Sequence, residues 1–253
     1  MTKNPSVAIC ENSGTNSRTR TRGDEDLSRR LSNQANMLAF VAHDLRQPLF
    51  RIAMAAELAG SNGDVSALTR TLEAVQSSLV CIHRLVDDLD DFGSLQAGQL
   101  RLICRSLEPA AVVSAALAAF EPIAAAKHVR LSATIEDGVG EIFADPERMQ
   151  QVISNLIVNA LFLTPSGGCI AITVKSDGDR IQFAVSDSGP GIGASDLPHL
   201  FDRYWRGTQG WYAGRGLGLA IARDLVASHG GEIWASNEPV CGARISFTVP
   251  VTV

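Results

Sequence analysis

His43 stands in the run Phe40-Val41-Ala42-His43-Asp44-Leu45-Arg46-Gln47-Pro48-Leu49, with a carboxylate beside it and an amide one helical turn on. A neutral imidazole is a workable nucleophile near neutral pH, and an adjacent carboxylate can hold the Nδ1 proton so that Nε2 attacks. Asp44 supplies that carboxylate. Gln47 lies four residues from His43 on the same face, and Pro48 removes a backbone donor and bends the helix just past the site. Taken singly, the His–Asp pair is also what an ordinary solvated helix face offers. His83, His128, His199 and His229 lack comparable surroundings and read as surface or helix-end residues.

Three more patterns lie in the second half. Gln151, Asn155 and Asn159 recur at intervals of four beside an apolar stripe of Met149, Val152, Ile153, Leu156, Ile157 and Ala160. Asn is a mediocre helix former, so two in mid-helix need a reason. Their amide oxygens suit a hard cation such as Mg²⁺, which takes oxygen ligands together with phosphates and waters; an ordinary polar face is the alternative. In the strand Arg180-Asp187, Asp187 shares its parity with Ile181, Phe183 and Val185. A carboxylate aimed at a core is costly unless a donor meets it. An adenine amino group is one such donor, and a structural cap on the next turn is the other reading. The following Ser188-Gly189-Pro190-Gly191-Ile192-Gly193 lets backbone approach a flat ring. Finally, Gly214-Arg215-Gly216-Leu217-Gly218-Leu219 leads into a helix, where backbone N–H groups can receive anionic phosphates. A dinucleotide fingerprint does not fit, because no parallel βαβ unit surrounds these glycines and their spacing differs.

The elements that must carry these residues divide the chain. Leu31, Ala35, Leu38, Ala42, Leu45, Leu49, Ile52, Ala56 and Ala59 form one seam of alternating four and three steps, and Val65, Leu68, Leu72, Val75, Leu79, Ile82, Val86 and Leu89 a second. Gly60-Ser61-Asn62-Gly63 turns the chain between them. A lone antiparallel hairpin leaves apolar surface uncovered, so a homodimeric four-helix bundle is expected. The heptad is lost over Phe92–Ser106, the expected domain boundary. Beyond it the pattern predicts helices from Pro109, from Asp145-Pro146-Glu147 and over Leu217–Ser228. Strands are expected at Val129–Ile135, Ile170–Lys175, Arg180–Asp187, Glu232–Ala235 and Arg244–Val249, with a hairpin turn at Asp177-Gly178. The fold class is α+β: a helical hairpin followed by an α/β sandwich. The divisions expected are a polar leader over 1–26, the hairpin over 27–95 and a sandwich domain over 96–253.

Bulk properties narrow the function. A net charge of -5 gives no support for nucleic-acid binding. The leader is polar and locally basic, with no apolar run behind it of the kind a signal peptide needs. The longest apolar stretch, Ala110–Phe120, is closed by Glu121-Pro122 and is too short to span a bilayer, so no membrane span and a cytoplasmic location are expected. Five scattered cysteines lack metal-ligand spacing and read as reduced thiols.

Over about residues 30–250 the chain resembles the sensor histidine kinases of two-component signalling. The phosphoacceptor box is the run around His43. The N box is Asp145-Pro146-Glu147-Arg148-Met149 through Asn155-Leu156-Ile157-Val158-Asn159-Ala160, and the G1 box is Asp187-Ser188-Gly189-Pro190-Gly191-Ile192. The F box is Leu200-Phe201-Asp202-Arg203-Tyr204-Trp205-Arg206, and the G2 box runs from Gly214 to Leu219. The resemblance implies a dimerisation and histidine phosphotransfer domain followed by a GHKL-type ATP-binding sandwich. It implies His43 as phosphoacceptor, Asp44 as the acidic base, and Gln47 where relatives orient water to dephosphorylate the partner. Asn159 is implied to ligate Mg²⁺ with Asn155 beside the phosphates, and Asp187 to read adenine. Gly189, Gly191, Ile192, Phe201, Gly214, Gly216, Leu217 and Gly218 are implied to shape the pocket and lid, and Arg203 and Arg206 to offset phosphate charge. The implied cofactors are ATP and Mg²⁺, and the implied partner is the receiver domain of a response regulator. Phe162 stands where many relatives carry a Lys near the phosphates. No sensory module of the usual kind precedes the first helix, so a separate sensor protein or the leader is the expected input. A non-catalytic phosphorelay adaptor is the rival reading. A plain ATPase fits less well, since Gln151 and Asn155 stand where a hydrolytic Glu is wanted.

Overall fold

The computed structural model describes residues 100–203, 205 and 217–251, and before them 45, 46, 48–57 and isolated positions between 69 and 93. The chain divides into two compact units, residues 1–82 and 83–253.

In the first unit, residues 45, 46 and 48–57 are helical, as are 69, 71, 72, 75, 78, 79 and 82. Thr71 Oγ1 donates to the Ala55 carbonyl at 3.1 Å, tying the two stretches as a hairpin does. Leu49, Phe50, Met54, Leu72 and Leu79 stay exposed, although Leu49, Leu72 and Leu79 belong to the apolar seams. The leader, the Gly60–Gly63 turn, and His43, Asp44 and Gln47 lie outside the described residues.

Over its described residues from 100 onward, the second unit layers three helices on a sheet. Its order is β1 (Arg105–Leu107), α1 (Pro109–Ala126), β2 (Arg130–Ile135), β3 (Ile142–Ala144), α2 (Pro146–Leu163), β4 (Cys169–Asp177), β5 (Arg180–Asp187), a 3₁₀ turn at Leu197–His199, α3 (Gly218–Ser228), β6 (Ile233–Asn237) and β7 (Ala243–Pro250). Five strands order as β2-β4-β5-β7-β6; β2 runs parallel to β4 and the other pairs are antiparallel. Alternation places Ile170, Ile172 and Val174, then Ile181, Phe183 and Val185, then Ile245, Phe247 and Val249 on the buried face. The Phe183 and Phe247 rings stack there at 4.8 Å. All six apolar-stripe residues of α2 are buried above them. Asp145 caps α2 through Oδ1, which accepts from the N–H groups of Glu147 at 3.0 Å and Arg148 at 3.3 Å, and Pro146 opens its first turn.

Two features depart from expectation. β1 and β3 pair into a small antiparallel sheet that no periodicity announces, since each strand has three residues. Asp177 is the last strand residue opposite Arg180, so the two-residue hairpin loop is Gly178-Asp179 rather than Asp177-Gly178. The helix expected from Pro109 is α1, and it runs through Pro122 to Ala126. Among the described residues α1 is the one helix long and apolar enough to cross a membrane. Its Val112, Val113, Ala116 and Ala124 are buried, and it packs on α2 and β2.

Candidate functional site

Asp187 ends β5 with 8% of its surface exposed, on the buried face that its parity predicts. Its Oδ1 accepts from the N–H of Gly189 at 2.8 Å and of Ala243 at 3.4 Å. Burial pushes its pKa up, the two N–H groups pull it back, and the nearby Glu238 carboxylate adds to the rise. The carboxylate therefore does cap the next turn, with one oxygen. Both of these bonds use Oδ1, so Oδ2 is the oxygen through which a ligand's amino group can be met.

The loop after Asp187 is walled by backbone. A side chain at Gly189 would press on the Leu163 carbonyl, 3.0 Å from its Cβ position, at the end of α2. Gly242, with φ +95°, brings the β6–β7 turn against β5 so closely that any Cβ would overlap the Asp187 carbonyl. Ile192 is buried, and its N–H and C=O both bond the side-chain amide of Asn237. Glu238, beside Asn237, accepts from Arg244 Nε at 2.7 Å and Ser186 Oγ at 2.8 Å, bonds that hold its carboxyl below the usual range.

Two hydrogen bonds fix how α2 and α3 lie together. Asn155, buried on α2, donates Nδ2 to the carbonyl of Gly218, the first residue of α3, at 3.0 Å. At the far end the Asp145 N–H donates to His229 Nε2 at 3.1 Å, while His229 Nδ1 meets the Leu225 carbonyl at 2.8 Å. The donor on Asp145 makes Nε2 an acceptor, so the ring proton belongs on Nδ1. Ten positions separate Asp145 from Asn155 and eleven separate Gly218 from His229. At about 1.5 Å per residue these are matching lengths, so the helices run antiparallel and are pinned at both ends.

Asn159, one turn beyond Asn155, therefore falls past the start of α3, in the direction its first N–H groups point. Among the described residues no side chain caps those groups; the N-cap residue is Leu217, itself buried. An uncapped helix start beside a partly exposed amide suits an anion and its metal counter-ion. Asn159 makes no side-chain hydrogen bond to any described residue. One further turn of α2 reaches Leu163 and the Asp187 loop, so the anion end and the carboxylate end share one stretch of helix.

Other expected residues have contacts of their own. Asn155 ties α2 to Gly218 of α3. Arg203 donates to Asp224 of α3 at 2.7 Å, and Phe201 is half-buried near it in sequence. Phe162 is 48% exposed, and Lys127 Nζ bonds the Leu161 and Phe162 carbonyls, which sets a cation at the C-terminal end of α2. Arg206, Gly214 and Gly216 lie outside the described residues. Lys127, His229, Asn237 and Gly242 escape sequence reasoning because their partners are 34 to 84 residues away, or a carbonyl across the sheet.

Residues 33–98 match the family model described as the His Kinase A (phospho-acceptor) domain, and residues 144–253 that of the histidine kinase-, DNA gyrase B- and HSP90-like ATPases. The sensor histidine kinase RcsC of Escherichia coli (strain K12) is 32% identical over 98% of this chain and 27% of its own length. The adaptive-response sensory kinase SasA of Synechococcus sp. (strain CC9311) is 34% identical over 90% of this chain and 60% of its own. The chain thus spans about a quarter of the first relative and three fifths of the second. Among solved structures, the Acinetobacter baumannii histidine kinase AdeS shares the fold at a TM-score of 0.63 and 24% identity, covering 83% of this chain and 98% of that one. The histidine kinase ThkA in complex with response regulator protein TrrA aligns at 0.66 and 22% identity, over 92% of this chain and 66% of that one.

Proposed function

The chain belongs to the histidine kinases, and on that premise we propose that it phosphorylates its own His43 with Mg²⁺-ATP and passes the phosphoryl group to an aspartate of a response-regulator receiver domain. The observation that most supports this is the pinned α2–α3 pair, which aims an uncapped helix start past Asn159 beside the buried Asp187.

In this reading Asp187 Oδ2 accepts from the adenine amino group, and Gly189, Gly191 and Ile192 give the ring a backbone wall. Asn159 supplies an amide oxygen to Mg²⁺, and the N–H groups of Leu217 and Gly218 receive phosphate oxygens, with Gly214 and Gly216 in the loop before them. Phe201, Arg203 and Arg206 belong to the lid, where Arg206 adds positive charge and Arg203 fastens the lid base to Asp224. Asp44 holds the Nδ1 proton of His43, and Nε2 attacks the terminal phosphorus. A P–N bond forms, the bond to the bridging oxygen breaks, and ADP leaves. Gln47 orients water for the reverse task, dephosphorylating the partner. The protein acts as a cytoplasmic homodimer.

Incubation with γ-labelled ATP is expected to leave acid-labile label on the chain that His43→Ala abolishes. Gln47→Ala is expected to keep that label while slowing loss of phosphate from the partner. Label persisting in His43→Ala would remove the assigned nucleophile. Phe162, exposed and without the cation relatives carry, favours one rival: a phosphorelay adaptor that does not use ATP. Calorimetric titration separates the two, since an adaptor gives no heat with Mg²⁺-ATP.

A further inference from the structure

We propose that Asn237, at the end of β6, is a positioning residue for adenine recognition: it holds the Gly191-Ile192 backbone in the place that aligns the loop with Asp187. This rests on the nucleotide reading above. The five residues Gly189–Gly193 form no ladder with any strand, yet Ile192 is 5% exposed, so its backbone N–H and C=O need partners. One side chain supplies both. Asn237 Oδ1 accepts from the Ile192 N–H at 2.6 Å and Nδ2 donates to the Ile192 carbonyl at 2.9 Å. The amide thus replaces a β-bridge, and its orientation is fixed, because exchanging O and N would face like against like.

The same turn touches the carboxylate from its other side. Ala243, which pairs with Asn237 across β6 and β7, donates to Asp187 Oδ1, and Gly242 packs on the Asp187 carbonyl. Glu238 is fastened by Arg244 and Ser186, so the base of the turn is rigid where Asn237 leaves it. Asn237 therefore sets the distance between the loop that covers a base and the carboxylate that reads it. A Cβ at Gly191 would come within 3.0 Å of Asn237 Oδ1, so the loop backbone lies directly on the amide.

Asn237 is itself solvent-exposed, so truncating it removes no core packing. Asn237→Ala and the near-isosteric Asn237→Asp, which turns the donor into a second acceptor against the Ile192 carbonyl, are compared with Val240→Ala in the full chain. Val240 sits in the same turn, 95% exposed, and controls for general loosening. Autophosphorylation at varied ATP is expected to show KM raised about tenfold or more in both Asn237 variants, the equivalent of about 1.4 kcal/mol. kcat at saturating ATP should stay within about twofold, and Val240→Ala should match the unmodified protein. An unchanged KM overturns the proposal, and so does a fall in kcat without a rise in KM, or an equal effect from Val240→Ala. If instead the unmodified chain neither binds nor uses ATP, the kinase reading fails, and the proposal falls with it for a reason the variants did not supply.

Discussion

At the residue scale the informative group is Asp187, a carboxylate kept in a poor place. Its folded pKa is raised, chiefly by burial. A carboxyl of this kind binds its proton more tightly in the folded chain, so its contribution to stability is fully present below the unfolded value of 3.8 and is lost as pH rises through the folded one. At neutral pH the ionised group is thus a liability to the empty domain, offset when a ligand donor arrives. Asp187→Asn keeps an Oδ1 acceptor for Gly189 and Ala243 while removing the buried charge. Its nucleotide-free melting temperature at pH 7 is expected to exceed that of the unmodified protein, and to vary less with pH above about 4. Its ATP affinity should fall about tenfold or more, since a hydrogen bond to a charged acceptor is replaced by a donor facing a donor. Melting curves across pH together with calorimetry check both halves. A variant that is less stable at pH 7 contradicts the burial argument.

At the element scale, what matters is that α3 is held against α2 at both ends. Asn155 holds the start of α3 at Gly218, and His229 holds its finish 11 positions later. Removing the ring in His229→Ala leaves the Asp145 N–H without its acceptor at a buried helix cap, a loss of about 1–3 kcal/mol. Because α3 would pivot about Asn155, ATP affinity should fall as well, although His229 is at the end of α3 far from the proposed phosphate site. Chemical denaturation and nucleotide titration test this together; unchanged affinity in a destabilised variant would show that the far tie does not set the near end. These ties also mark how far the sequence could be read. Helix α2 was legible from Asp145-Pro146-Glu147 and its apolar stripe, and Asp187 from its parity in β5, because capping and alternation are local. Asn155 was legible as a residue needing a reason, but the carbonyl it meets lies 63 positions away. His229 read as an ordinary helix end, since nothing within a few residues points to Asp145. β1 and β3 were missed because three residues are too few to show a period.

At the scale of the whole molecule, the question is what covers the helical hairpin. Leu49, Leu72 and Leu79 were expected in its seams, yet they are 54%, 55% and 46% exposed in a single chain, with Phe50 at 64% beside them. Large apolar side chains recurring on helices at seam positions are the surface a second copy covers. Burying one leucine contributes roughly 1.5–3 kcal/mol, and in a symmetric pair every contact occurs twice. Leu72→Glu combined with Leu79→Glu would place four carboxylates in such an interface. The double variant is therefore expected to sediment as a monomer at concentrations where the unmodified chain is a dimer, its dissociation constant raised at least about a hundredfold. Nucleotide binding should survive, because Asp187, Asn159 and the α2–α3 ties all lie in the other compact unit. If one protomer's ATP domain serves the partner's His43, mixing the double variant with His43→Ala gives no label; if each serves its own, the double variant still labels as a monomer. A monomeric mass for the unmodified chain at every concentration would instead leave the exposed leucines to another partner.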